Sequence, residues 1–258
     1  MDTVEILDEG PVRYVWLNRP TKLNGMTPEM KQYLVAAFDE ASRDRNVRCV
    51  VLSGRGRAFS AGGDIRTMEA ELSPGDAIAQ ASANGQVAPA LARLAKPVIA
   101  AVNGLAVGSG FSLALACDIL VARQDAWFSQ QFRHRGLVPD SGSTFLLARQ
   151  VGLYRAKEMV FTGRRVTASE AYDLGIVSHV WPAADFVENV KSYALSLAEG
   201  PTVAIGLAKR LLSDAFETSL ASAIEREAIA QYAASMSRDH AASLAAFRDK
   251  TGMKFEGR

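Results

Sequence analysis

Two glycine-rich turns, each at the end of a β-type apolar run, constrain this chain more than any other feature. The first, Arg57-Ala58-Phe59-Ser60-Ala61-Gly62-Gly63-Asp64-Ile65, follows the run Val47 to Leu52. The second, Asn103-Gly104-Leu105-Ala106-Val107-Gly108-Ser109-Gly110-Phe111-Ser112, follows Pro97 to Val102. Glycine is called for where backbone must come close to a ligand and a side chain would obstruct. Each turn can aim a backbone N–H at one shared oxygen. Preorganised donors of this kind stabilise charge as it develops, at about 3 kcal/mol per donor, and need no charged side chain. The pair reads as an oxyanion hole.

The same turns exclude other readings. Pro97 to Ala122 is nearly uncharged and long enough to span a bilayer. Asn103, Gly104, Gly108, Ser109, Gly110 and Ser112 interrupt it, however, and Asp118 stands near its far end. It reads as a buried strand, a glycine turn and a buried helix, with no membrane span. Gly54-Arg55-Gly56 and Gly108-Ser109-Gly110 both lack the third glycine of a dinucleotide fingerprint. There is no Walker sequence and no five-residue nucleophile elbow, which leaves Ser60, Ser109 and Ser141 without a local nucleophile signature.

Around these turns the pattern is α/β. Strand-like alternation at Val12 to Leu17 and at Val47 to Leu52 flanks an amphipathic helix from Pro28 to about Asp44. Thr27 is placed to cap that helix, Pro28 suits its first position, and Met30, Leu34, Ala37, Phe38 and Ala41 recur at helical spacing. Strand, helix, strand and a further strand from Pro97 predict short crossovers. Glu69 to Ala95 reads as a loop and a helix forming a wall over a pocket. Arg155 to Gly175 reads as helix, loop, helix, followed by a strand at Ile176 to Val180. After Gly200-Pro201 the chain is almost continuous helix, through Glu225 to Tyr232 and on to Phe247. We therefore divide it into a core, residues 1–199, and a helical region, residues 200–258, that packs on the core or on another subunit.

Composition narrows the partner. The chain has 258 residues, 48% of them hydrophobic, so it can bury a sizeable core. Lys and Arg number 29 against 28 Asp and Glu, so no basic excess meets nucleic acid and the expected partner is a small molecule. Met1 to Glu5 carries two acids and no apolar core of signal-peptide length, which predicts a cytoplasmic protein. Cys49 and Cys117 lack metal or disulfide spacing and read as core thiols. His134, His179 and His240 are scattered; only His134 falls in a segment with candidate site residues.

Four stretches taken together resemble the crotonase (enoyl-CoA hydratase/isomerase) superfamily. They are Phe59 to Ile65, Lys96-Pro97-Val98-Ile99-Ala100-Ala101-Val102-Asn103-Gly104, Gly108 to Asp118, and Thr167-Ala168-Ser169-Glu170-Ala171-Tyr172-Asp173-Leu174-Gly175-Ile176-Val177. The resemblance runs from about Val4 to Phe255. It implies an α/β fold of the crotonase type, a ββα superhelix with a C-terminal helical region, assembled as a homotrimer or homohexamer. It implies an acyl-CoA thioester as substrate, with no cofactor beyond the coenzyme A of that thioester and no metal. Carried over, the thioester oxygen is held by the N–H groups of Gly63 and Ser109, with Ala61, Gly62, Asp64 and Ile65 of the first turn beside it. Gly110 opens the buried helix of the second turn. Lys22, Leu23 and Arg66 are implied contacts of the CoA nucleotide, as are Phe247 and Lys250, the last two often reaching a neighbouring subunit.

The departures from the family pattern concern the chemistry. Hydratases of this family hold and activate a water with two glutamates, and their positions fall here on Ser112 and Phe132, neither of which can exchange a proton as a carboxylate does. A carboxylate occurs nearby in Gly136-Leu137-Val138-Pro139-Asp140-Ser141-Gly142-Ser143. Double-bond isomerases of the superfamily use an acid at the Asp140 position, which implies proton transfer by Asp140 in a pocket that Phe132 keeps apolar. Pro-Asp-Ser-Gly is also a good turn sequence, so a purely local role for Asp140 stays open. The aryl-CoA dehalogenases use the same position as a nucleophile but need a histidine between the two turns, and Glu69 to Ala95 has none. Isomerisation is the favoured expectation. Hydration by other means and a non-catalytic acyl-CoA-binding role are the alternatives.

Overall fold

The computed structural model describes residues 3–64, 66 and 73–258. The expected site residue Ile65 and the start of the predicted Glu69 to Ala95 wall lie outside them. Ten strands and eleven α-helices are built as follows among the described residues. The chain opens with β1 (Val4–Glu9) and β2 (Val12–Leu17), then α1 (Pro28–Arg43), β3 (Cys49–Gly54) and β4 (Ala58–Ser60). Two helices, α2 (Pro74–Asn84) and α3 (Val87–Arg93), lead to β5 (Val98–Val102), β6 (Leu105–Val107) and α4 (Ser109–Leu115). Next come β7 (Ile119–Arg123), β8 (Trp127–Ser129), α5 (Ser143–Val151), α6 (Leu153–Thr162), β9 (Val166–Thr167) and α7 (Ala168–Asp173). The remainder is β10 (His179–Trp181), α8 (Phe186–Ala198), α9 (Thr202–Ser213), α10 (Leu220–Ser235) and α11 (Arg238–Asp249).

The strands form a six-stranded sheet in the order β1-β2-β3-β5-β7-β10 and a four-stranded sheet in the order β4-β6-β8-β9. In the larger sheet only the β1–β2 pair is antiparallel. Its central strands are apolar on both faces, as a parallel sheet covered on both sides requires. Val50 and Leu52 of β3 and Val98, Ala100 and Val102 of β5 face the main core, where the α1 residues Met30, Leu34 and Phe38 meet them. The alternate residues Cys49, Val51, Ile99 and Ala101 face Phe186, Val190 and Ala194 of α8. The smaller sheet carries both glycine turns: β4 and β6 are parallel neighbours, so the loops leaving their C-terminal ends start side by side.

Helix α1 begins as expected, with the Thr27 hydroxyl accepting from Met30 N at 3.2 Å. Two expectations need correction, and one strand was not foreseen. The strand expected at Ile176 to Val180 is β10, His179–Trp181, because Gly175 turns at φ +75° and the Ile176 and Val177 amides both fold back onto the Ala171 carbonyl. The almost continuous C-terminal helix is three helices, interrupted between Ser213 and Leu220 and again at Ser237, whose hydroxyl accepts from His240 N at 3.1 Å and caps α11. The β1 strand, unexpected from sequence, is an edge strand whose charges are paired, Glu5 with Arg55 and Asp8 with Arg13 at 2.8 Å.

Helix α9 docks on the main body. A Cβ on Gly206 would stand 2.4 Å from the Ala95 carbonyl oxygen, and Lys209 pairs with Asp118 at 2.7 Å. By contrast α10 buries no residue, and Ile224, Ile229, Tyr232 and Phe247 on α10 and α11 are exposed. Among the described residues no helix is long and apolar enough to cross a membrane.

Candidate active site

The first turn is fixed from outside. Asn24, at φ +54°, donates its side-chain amide to the carbonyls of Ala58 at 2.8 Å and Arg55 at 3.0 Å. Ser60 donates to Asn24 O at 2.8 Å and accepts from Gly62 N at 3.1 Å. Met26 then bridges the turn as a strand would, donating to Gly62 O at 2.8 Å and accepting from Asp64 N at 2.9 Å. In this register the intervening amide, Gly63 N–H, points away from the bridge. Among the described residues it has no protein acceptor.

The second turn presents a matching donor. Gly108, at φ +54°, anchors it by donating to Ser129 O at 2.9 Å. Ser109 is the first residue of α4, where an amide has no acceptor within its own helix. The turns meet because Gly110 lets α4 press against β4: a Cβ there would stand 2.5 Å from Ser60 O and 2.7 Å from Ser60 Cβ. Gly110 thus sets the approach of the two turns and does not itself line the cavity.

That cavity has a volume of about 700 Å³. Ala61, Gly62, Gly63, Gly108 and Ser109 form its floor, and Phe132 and Asp140 stand on its wall. Phe132 covers the second turn, its ring 3.7 Å from where a Gly108 Cβ would be. Ser112 is fully buried, donates to Gly108 O at 3.2 Å and does not reach the cavity. No carboxylate therefore stands at either position where the family pattern puts a glutamate.

Asp140 combines the two readings left open by its sequence. Its carbonyl accepts from Ser143 N at 3.1 Å, and Ser141 and Gly142 follow at φ +53° and +81°, so its backbone does form a turn ahead of α5. Its side chain nonetheless enters the cavity, where the Ser109 hydroxyl lies 2.9 Å from Oδ1 and 3.1 Å from Oδ2. Asp140 is half-buried. A second charged group stands close enough to feel it: Lys31 of α1 is only 7% exposed, burial draws its ammonium pKa down, and the Asp140 charge pulls it back up.

The cavity mouth is basic. Lys22, Arg66, His134 and Arg135 all line it. Arg66 grips Asp64 through Nε at 3.1 Å and an NH2 at 2.8 Å, and Arg19 reaches the same carboxylate at 2.9 Å. Hydrogen bonds from Arg66 and then Arg19 hold the Asp64 carboxyl well below the usual range. Leu23, at φ +49°, takes part through its backbone, its carbonyl accepting from Ala61 N at 2.8 Å, and does not line the cavity. Phe247 and Lys250 also stand outside it in this single chain. Sequence reasoning missed Lys31, and it missed the contacts of Arg19 and Asn24, which flank the expected nucleotide contacts Lys22 and Leu23 in the loop after β2. Only Asn24, beside glycine in a turn-like segment, carries a local signal. Among the described residues no cluster of three or more His, Cys, Asp or Glu is arranged to hold a metal.

Comparisons with known proteins give the family. The family model for enoyl-CoA hydratase/isomerase matches residues 8–258. A 1,2-epoxyphenylacetyl-CoA isomerase of Escherichia coli is 33% identical over 97% of each chain. A 4-chlorobenzoyl coenzyme A dehalogenase of an Arthrobacter species is 36% identical over 93% of this chain and 88% of its own. The crystal structure of an enoyl-CoA hydratase subunit I from Geobacillus kaustophilus superimposes with a TM-score of 0.93 at 36% identity, covering 100% of this chain and 99% of the other. With two glycine turns facing one cavity and a match along almost its whole length, the chain is an enzyme of the enoyl-CoA hydratase/isomerase family, the crotonase superfamily.

Proposed function

We propose that this enzyme moves the double bond of an enoyl-CoA thioester, with Asp140 as the one proton carrier. The thioester oxygen sits between Gly63 N–H and Ser109 N–H. Asp140 removes a proton from C2 of a 3-enoyl chain, and the electron pair of that C–H bond delocalises onto the thioester oxygen as a dienolate, the charge that the two amides are placed to stabilise. The same carboxyl returns its proton to C4, and the electrons flow back to leave a 2-enoyl thioester and a free carboxylate. One base serves both transfers and no water is consumed.

The observation that carries this reading is the Asp140 carboxylate 2.9 Å from the side chain of the residue whose amide is one of the two donors, with no carboxylate at Ser112 or Phe132. Coenzyme A enters as part of the substrate, its phosphates meeting Lys22 and Arg66 at the mouth, and no further cofactor takes part. The exposed faces of α10 and α11 serve assembly as a homotrimer or homohexamer, in which Phe247 and Lys250 reach a neighbour's nucleotide. The cytoplasm is the proposed compartment.

Supplying the enzyme with 3-enoyl-CoA and, separately, 2-enoyl-CoA tests the reading. Interconversion of the two without a 3-hydroxyacyl product supports it. Hydration as the main reaction favours a hydratase, and binding without turnover favours a non-catalytic acyl-CoA-binding protein.

A further inference from the structure

Ser109 has two polar groups in the cavity, and the proposed function uses only its amide. The residue is 4% exposed, and its hydroxyl lies 2.9 Å and 3.1 Å from the two oxygens of Asp140. No other hydrogen bond to that carboxylate is formed by the described residues. The turn that carries Asp140 leans on positive φ at Ser141 and Gly142, and its own hydrogen bond uses the Asp140 carbonyl, so nothing local orients the carboxylate.

We infer that the Ser109 hydroxyl is the positioning group for Asp140, so that one residue holds the thioester oxygen with its amide and aims the base with its side chain. The inference rests on the proposed role of Asp140. The physical argument is one of geometry. The α4 backbone fixes the Ser109 amide, and the hydroxyl, one bond rotation away, is held in the rotamer that meets both oxygens of Asp140. The substrate oxygen on one and the carboxylate on the other are therefore held at a set separation, and the carbon that loses its proton is bonded directly to the thioester carbonyl carbon. A hydroxyl has a single proton to give and an ionised carboxylate has about four acceptor sites, so the contact leaves lone pairs free to take the substrate proton. A hydroxyl also cannot take up the proton itself at neutral pH, which keeps Ser109 a positioning residue beside the base.

The test is a double-mutant cycle on 3-enoyl-CoA in deuterated water, comparing wild type, Ser109→Ala, Asp140→Asn and the double variant, with Ser109→Thr as the conservative control. Every variant keeps the Ser109 amide. A hydrogen bond to a charged group, once lost, is expected to lower kcat of Ser109→Ala about ten- to a hundredfold while KM stays within about twofold. The threonine hydroxyl should restore part of that loss. In the Asp140→Asn background the serine change should cost nothing further, because a group that acts only through Asp140 has nothing left to position. Equal fold-losses in both backgrounds, or a fully active Ser109→Ala enzyme beside an inert Asp140→Asn, would overturn the inference alone. A fully active Asp140→Asn enzyme, or a wild type inert toward the substrate, would overturn the role of Asp140 and the inference with it.

Discussion

A methyl group placed on Gly62 would stand 3.5 Å from the amide nitrogen of Ser109 and 2.8 Å from the carbonyl oxygen of Val107. Residues far apart in sequence are thus in backbone contact at the floor of the cavity, and only a hydrogen fits between them. Gly62 also sits at φ +96°, which a residue with a Cβ rarely adopts. Gly62→Ala should therefore destabilise the fold by about 1–3 kcal/mol and push the two donors apart. Chemical denaturation and turnover measured on the same variant check both effects, and a variant as stable and as active as wild type would show that the turns tolerate separation.

Ser109→Pro deletes one donor at a helix position where proline is tolerated. Because the variant also lacks the hydroxyl that meets Asp140, the lost amide should show as a kcat about a hundred- to a thousandfold below that of Ser109→Ala. Ser112→Ala removes only a hydroxyl that bonds the Gly108 carbonyl away from the cavity, and its kcat should stay within about threefold of wild type. Steady-state kinetics on the pair check the assignment of the second turn, and similar losses in both would contradict it.

The Asp64 carboxyl, held low by Arg66 and Arg19, makes a pH-dependent contribution to stability. Its folded pKa lies below the unfolded value of about 3.9, so the contribution is complete above that pH and fades as pH falls through the folded value. At pH 7, Asp64→Asn should cost about 1–3 kcal/mol, a cost that shrinks on acidification below about pH 4. Urea melts across that range check it. A pH-independent difference would mean that Asp64 acts by packing alone.

Lys31 has the opposite sign. Burial lowers its folded pKa, so its charged form burdens the folded protein, and the burden is relieved as pH rises from that lowered value toward the unfolded value of about 10.4. Lys31→Met should match or exceed wild-type stability by about 1–2 kcal/mol at pH 7, and its advantage should vanish near pH 10 to 11. Thermal melts at both pH values check this; a destabilised Lys31→Met at neutral pH would show that the Asp140 charge outweighs the burial.

Much of this architecture was legible in the sequence because it is local. The capped helix after Thr27, the apolar runs of β3 and β5 and the glycine turns each announce themselves within a few residues. The short strands β4, β6, β8 and β9 do not, since each has only two or three residues and exists by pairing with another. The site divides in the same way. The two glycine turns follow from local pattern, whereas Gly63 and Ser109 as the donors and Asp140 as the acid follow from family resemblance. That the Asp140 carboxylate meets the Ser109 hydroxyl, that Arg19 shares Asp64 with Arg66, and that Lys31 is buried near the acid are products of chain crossing that no spacing encodes.

The most direct measurement is deuterium uptake from solvent into 3-enoyl-CoA, followed by NMR for wild type and for Asp140→Asn. The carboxylate carries a proton and the amide cannot, so isomerisation should fall by at least about a hundredfold in the variant while acyl-CoA binding persists, and the share of label that enters when the protonated carboxyl exchanges with solvent before returning its proton should fall with it. An Asp140→Asn enzyme that isomerises and labels its substrate at the wild-type rate would contradict the account.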